Sequence, residues 1–161
     1  MVKTIDRESS WFAAKMIKNR PRVMGVVQRD CVRTYIASVV PNILFICCTM
    51  EYVESLILNW PGSLYFYRFP DRIEPQPIDE KQMRNFMLVT SAPEECLIHL
   101  DEVDRKFLMG QRVRVTGGVF EGAEGVVKRI KGDRRLIVSI TGIACVATSF
   151  IHPSLLESID D

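Results

Sequence analysis

The sequence predicts an α+β chain in two parts. A ferredoxin-like N-terminal domain covers residues 10–90, a small C-terminal β-barrel covers 107–161, and a linker over 91–106 joins them. Three observations predict this division. Over residues 10–90, apolar segments alternate between strand and helix periods in the order β-α-β-β-α-β, followed by a further helix. From residue 107 the helical spacing stops, and short alternating segments follow, punctuated by glycine turns. The stretch between carries Pro93, two acidic pairs and little periodicity, with residues 96–100 as a candidate short ordered piece.

Taken in order, WFAAKM (11–16) is short, apolar and aromatic, and reads as the first strand. Asn19-Arg20-Pro21 marks a turn and a helix start, because proline is tolerated in the first helical turn. Val23, Val26 and Val27 form that helix's apolar face, which Gly25 weakens. Residues 32–37 alternate as a second strand. VPNILFICCT (40–49) is a continuous apolar run rich in β-formers, the pattern of a buried central strand with Pro41 at its first residues. Thr49 is an N-cap candidate, and Tyr52, Val53, Leu56, Ile57 and Trp60 follow at helical spacing until Pro61-Gly62. LYFYRF (64–69) reads as an aromatic strand and 70–77 as a proline-spaced loop. Asp79 opens a third helix to about residue 89, with Met83, Phe86 and Met87 inward.

The second part is organised around residues 110–127, GQRVRVTGGVFEGAEGVV. Val113 and Val115 alternate with Arg112 and Arg114, as in a half-buried strand. Gly117-Gly118 and Gly122 supply turn positions around Phe120, so a large ring is held on a tight loop. Further strands are expected at 125–130, 135–140 and 144–150, with turns at Lys131-Gly132-Asp133 and Thr141-Gly142. Residues 153–159 form a final short turn or helix.

Composition narrows the function. The chain has 161 residues and a net charge of +1, so any nucleic-acid contact must come from a local patch rather than bulk charge. Five cysteines, an odd number without CxxC spacing, fit free thiols in a reducing compartment better than disulfides or zinc. The N-terminal segment has no apolar core of a signal peptide, and no apolar run approaches the ~20 residues that span a bilayer. A cytoplasmic protein without membrane partner is expected. Two histidines, no nucleophile motif and no phosphate-cradling loop point away from an enzyme, and no cofactor is expected.

The 110–127 segment, KGDRRLIVSI and HPSLLESI together resemble the KOW domain of NusG-family transcription elongation factors, an SH3-like barrel. WFAAKM, VPNILFI, GSLYFYRF and the helix after PQPIDE resemble the NusG N-terminal domain, so the likeness covers nearly the whole chain. It is nearest to the specialised paralogues that act as antiterminators of capsule and surface polysaccharide operons in Bacteroides-like bacteria. The resemblance implies a monomer whose N-terminal domain grips the clamp helices of the RNA polymerase largest subunit and suppresses pausing or termination. The positions matching that apolar patch are Trp11, Pro41, Ile43, Phe45, Phe66 and Phe69, with Ile43 in place of the usual tyrosine. Residues 37–40 stand where the family carries a longer hairpin toward DNA or polymerase. The KOW positions that would meet the small-subunit ribosomal protein S-ten, or Rho, are Phe120, Ala123, Ile140 and Thr141. Ala123 and Thr141 replace bulky apolar residues there, which implies weak Rho binding.

Each assignment has a competing reading. Phe45 and Phe66 lie on apolar strands and serve equally as core, whereas Trp11 and Phe69 are nearer strand ends. Basic residues of the barrel are in the main solvated strand faces, with Lys131, Arg134 and Arg135 as the candidates for nucleic-acid contact. The alternative function is a ribosome-associated or RNA-binding KOW protein. An apolar patch on the N-terminal domain favours polymerase, and a dominant basic face on the barrel favours RNA.

Overall fold

A computed structural model of the chain describes residues 8–100, 110–130 and 132–159. These residues form three α-helices and two antiparallel sheets. The chain divides into two compact units, one built from residues up to 36 with 41–80, the other from 37–40 with residues from 81 onward.

The first unit contains β1 (Ser10–Met16), α1 (Arg20–Arg29), β2 (Arg33–Tyr35), β3 (Ile43–Cys48), α2 (Met50–Asn59) and β4 (Leu64–Phe66). The strands lie in the order β2-β3-β1-β4 and every neighbour pair is antiparallel. This is the interleaved order of a split βαβ pair, as the element sequence predicts. Strand β3 is central, and Pro41 sits in the turn before it, so the ladder loses no donor. The Thr49 hydroxyl accepts from Tyr52 N–H at 3.3 Å and caps α2. The Tyr52 hydroxyl in turn donates to Asp30 at 2.7 Å, joining α2 to the C-terminus of α1. Asn19 enters α1 in the left-handed region (φ 59°), and its side-chain amide donates to Ser63 Oγ at 2.8 Å.

Strand alternation sorts the side chains of this sheet into two faces. One face carries Phe12, Ala14, Met16, Leu44, Ile46, Cys48, Leu64 and Phe66, which form one core with Val23 and Val27 of α1 and Val53 and Leu56 of α2. Burial on this face pushes the Cys48 thiol up to about 12, with the neighbouring Cys47 adding to the shift.

The second unit contains α3 (Glu80–Thr90) from Lys81 onward, β5 (Leu97–Leu100), β6 (Gln111–Val115), β7 (Glu124–Ile130), β8 (Asp133–Ile140), β9 (Ala144–Phe150) and β10 (Leu156–Ser158). Its six strands lie in the order β10-β6-β7-β8-β9-β5. One expectation is corrected here. No pairing joins β10 to β5, so the sheet does not close into the expected barrel. Leu97–Leu100, within the candidate ordered piece of the linker, is a strand paired along its length with β9, because its residues alternate against Cys145 and Ala147. The compact units divide at Glu80, and α3 from Lys81 onward is counted with the second sheet through contacts described below. The last segment also adds a strand, β10, after a short 3-10 turn.

Gly125 fixes a close approach in this sheet. It lies opposite Val113 on β6, and a Cβ there would collide with the backbone carbonyl oxygen of Ile137. The β8–β9 ladder shifts register between Arg135 and Ile137, beside the same place. Gly25, by contrast, is exposed on α1 with nothing within 4 Å of a Cβ. We therefore expect opposite effects of the same change. Gly25→Ala should raise the stability of the first unit by about 0.5–1 kcal/mol, read by urea unfolding through Trp11 and Trp60 fluorescence. Gly125→Ala should weaken the second unit by ~1–3 kcal/mol, read as lost hydrogen-exchange protection in β7 and β8.

Candidate partner-binding surfaces

The face of the first sheet turned away from α1 and α2 is built from three cross-strand rows. Register places Trp11, Cys47 and Arg33 in one row, Ala13, Phe45 and Tyr35 in the next, and Tyr65, Lys15 and Ile43 in the third. The Arg33 guanidinium lies 5.3 Å from the Trp11 ring centroid, within cation–π range. The Tyr35 and Phe45 rings stand 6.4 Å apart, tilted. Trp11 also bridges to Ile78, whose N–H donates to the Trp11 carbonyl at 2.8 Å. Burial pushes the Cys47 thiol up, Arg33 pulls it partly back and Glu80 adds to the rise.

The six positions assigned to polymerase from the sequence do not share this face. Trp11, Ile43 and Phe45 lie on it and are buried. Pro41 is exposed just before β3, and Phe69 is half-buried beyond β4 with the Arg72 guanidinium 5.4 Å from its ring. Phe66 is on the opposite face, inside the core with Phe12 and Leu44. Its neighbour Tyr65, missed in the sequence, takes the outward position and is 63% exposed. The signal was present in LYFYRF. Leu64 and Phe66, without polar atoms, alternate with Tyr65 and Tyr67, whose hydroxyls tolerate water.

In the second unit, Phe120 and Ala123 lie on the β6–β7 loop, and Ile140 and Thr141 lie at the β8–β9 turn. Phe120, Ala123 and Ile140 are buried, and Thr141 is exposed. Helix α3 is tied to both loops. Gln82 Nε2 donates to Thr141 Oγ1 at 3.1 Å, and Thr141 N–H donates to Gln82 Oε1 at 3.2 Å. Glu124 N–H donates to Asn85 Oδ1 at 3.1 Å. The Glu124 carboxylate pairs through one oxygen with Lys81 Nζ at 2.7 Å and through the other with Arg114 Nη2 at 2.7 Å. These hydrogen-bonding Lys81 and Arg114 side chains hold the Glu124 carboxyl below its ordinary value of 4.5.

The three positions expected to meet nucleic acid are also separated. Lys131 lies outside the described residues. Arg135 is turned inward, donating from Nη1 to the Thr148 carbonyl at 3.0 Å and pairing with Asp133 at 3.5 Å. Arg134 is exposed, directly opposite Arg129 on β7. Among the described residues no group of His, Cys, Asp and Glu side chains is placed to hold a metal ion, and no helix is long and apolar enough to cross a membrane.

Because the folded-state pKa of Glu124 is depressed, its ion pairs stabilise the α3 tie fully above the ordinary carboxylate range. That contribution is lost as pH falls through the folded pKa, below about 4.5. Amide NMR shifts of Lys81, Glu124 and Thr141 should move together in an acid titration. Glu124→Gln should remove that step while leaving the Gln82–Thr141 hydrogen bonds in place.

Comparison with known protein families finds no match, and comparison with curated proteins finds none either. Among solved structures the chain is similar to NusG of Thermotoga maritima, solved in work on the interaction of its domains. The match has a TM-score of 0.52 at 17% identity and covers 94% of this chain and 98% of that one. The chain therefore shares the NusG fold over nearly its whole length.

Proposed function

We propose that this chain is a NusG-type transcription elongation regulator that binds RNA polymerase and suppresses pausing or termination. The observation that carries the reading is the fold likeness to NusG, which takes in both units of the chain. The N-terminal unit docks on the clamp helices of the polymerase largest subunit through the sheet face that carries Trp11, Ile43 and Phe45, with Tyr65 exposed on it and Pro41 and Phe69 beside it; because the first three are buried here, docking requires that face to be uncovered. Tyr65, exposed on this face, supports it as a contact surface of the unit. The work is done by binding. A factor with higher affinity for the active clamp conformation than for the paused one shifts the population toward elongation by that difference.

The sequence likeness to specialised antiterminators favours action at particular operons, those for capsular or surface polysaccharide. The β6–β7 and β8–β9 loops are the second docking point, for the ribosomal protein S-ten. Here α3 holds Thr141 and Glu124, so a partner at these loops competes with Gln82, Asn85 and Lys81. Ala123 and Thr141 offer little apolar surface, which disfavours Rho and fits antitermination better than termination.

Pause lifetime on a purified elongation complex tests the reading, together with capture of core polymerase by the immobilised chain. The folded chain should shorten pauses. Tyr65→Ala should weaken capture about tenfold or more, the loss of ~2 kcal/mol typical of an aromatic anchor, with little change in stability. Phe66→Ala should instead cost about 3–5 kcal/mol of folding stability. Unchanged pausing and no capture by the intact folded chain would sink the proposal.

A further inference from the structure

The β7–β8 hairpin places like charges directly opposite one another twice, Lys128 against Arg135 and Arg129 against Arg134. Such pairs destabilise an antiparallel ladder unless something compensates them. In the first pair Arg135 is compensated internally by Asp133 and the Thr148 carbonyl. In the second, both arginines are exposed, and among the described residues neither guanidinium has a hydrogen-bond or ion-pair partner. Gln111 pairs with Val127, and strand alternation puts both on the same sheet face as Arg129 and Arg134. These four residues and Lys128 line an open groove of about 260 Å³. Among the described residues the groove presents the two exposed guanidiniums of Arg129 and Arg134, with Lys128 beside them, and no carboxylate lines it.

We propose that this groove binds the phosphate backbone of single-stranded nucleic acid, with Arg129 and Arg134 each taking phosphate oxygens. Opposed residues of an antiparallel ladder lie ~5 Å apart at Cα, so both guanidiniums can reach oxygens of the same or neighbouring phosphates. A guanidinium matches phosphate geometry bidentately. An acidic protein would offer carboxylates to the same forks, but protein interfaces take most of their energy from aromatic and apolar anchors. Among the described residues this groove has one aliphatic side chain, Val127, and no aromatic ring. The missing ring also removes base stacking, so contact is through the backbone and tolerant of sequence. Gln111 adds an amide that can meet a ribose hydroxyl or a base edge. With a net charge of +1 the whole chain has no general attraction for polyanions, which leaves this local patch to supply it.

The proposal stands on the second unit alone and is independent of polymerase binding. Its test is fluorescence anisotropy of labelled twelve-nucleotide RNA and DNA with the full chain across a salt series. Arg129→Ala/Arg134→Ala should weaken binding at low salt tenfold or more. The log-log salt slope should become shallower by about 1.4, two phosphates at ~0.7 each for a single strand. Arg20→Ala/Arg22→Ala removes the same charge from the exposed start of α1 and should leave both quantities unchanged. Should the alanine pair fail to fold, Arg129→Lys/Arg134→Lys serves instead: charge and slope stay, and affinity falls through loss of the forks. Equal binding of RNA and DNA supports pure backbone contact, and preference for RNA adds Gln111 at the ribose. Absence of binding by the unaltered chain overturns the proposal, as does an equal loss in the α1 variant. Displacement of the oligonucleotide by polyglutamate at equal charge concentration would overturn it in favour of an acidic protein partner.

Discussion

The register between β1 and β3 is the constraint on which the first unit depends. Ala13 opposite Phe45 and Ala14 opposite Leu44 decide which aromatics lie under α1 and α2 and which lie on the opposite face. A slip of one residue would exchange the faces, placing Phe45 under α1 and α2 and Leu44 on the other side. The slip is opposed by volume and charge together. Phe12, Leu44, Ile46 and Phe66 fill the space against Val23, Val27, Val53 and Leu56. Lys15 and Arg33 are exposed on the other face, and turning either strand over would carry a charge into the core, where it would be costly. The same parity carries across β4 to Tyr65, so the candidate surface is a by-product of how the core is filled.

Much of this was legible in the sequence because it is local. Thr49, Pro21 and the glycine turns mark where elements begin and end, and period-2 or period-3.6 spacing identifies their type. What was not legible depends on partners distant in sequence. Phe66 reads equally as core or contact, and Tyr65 goes unread, because the parity of a three-residue strand is set by β1, about fifty positions earlier. Arg135 was grouped with Arg134 as a surface cation. Yet adjacent strand residues face opposite ways, and Arg135 finds the Thr148 carbonyl on the neighbouring strand. Arg129, opposite Arg134 on the ladder, is visible in the sequence only as one basic residue among several. The strand at Leu97–Leu100 has too few residues for periodicity to declare it, and it is defined by β9 rather than by itself.

Glu124 has a comparable integrating role in the second unit. It sits at the start of β7, and its carboxylate gathers Lys81 from α3 and Arg114 from β6, while its N–H meets Asn85. A carboxylate that accepts charge-assisted hydrogen bonds from two elements is stronger than an isolated surface pair. The helix read from the sequence as the end of the first domain is thereby counted with the second. Composition changes at residue 107, but the cohesive unit begins earlier, since side chains such as Gln82 and Asn85 carry no signature of the loops they will meet.

The pairing of β5 with β9 also bears on how the chain can be dissected. A fragment cut at residue 107, where the sequence changes character, would leave behind the strand that covers β9. Ala144–Phe150 would then present a bare row of backbone donors and acceptors along an apolar strand that includes Cys145, Val146 and Ala147. Such an edge is a template for pairing with a second copy. The minimal soluble C-terminal piece therefore starts before Leu97, and self-association of a shorter one would reflect the cut rather than the protein.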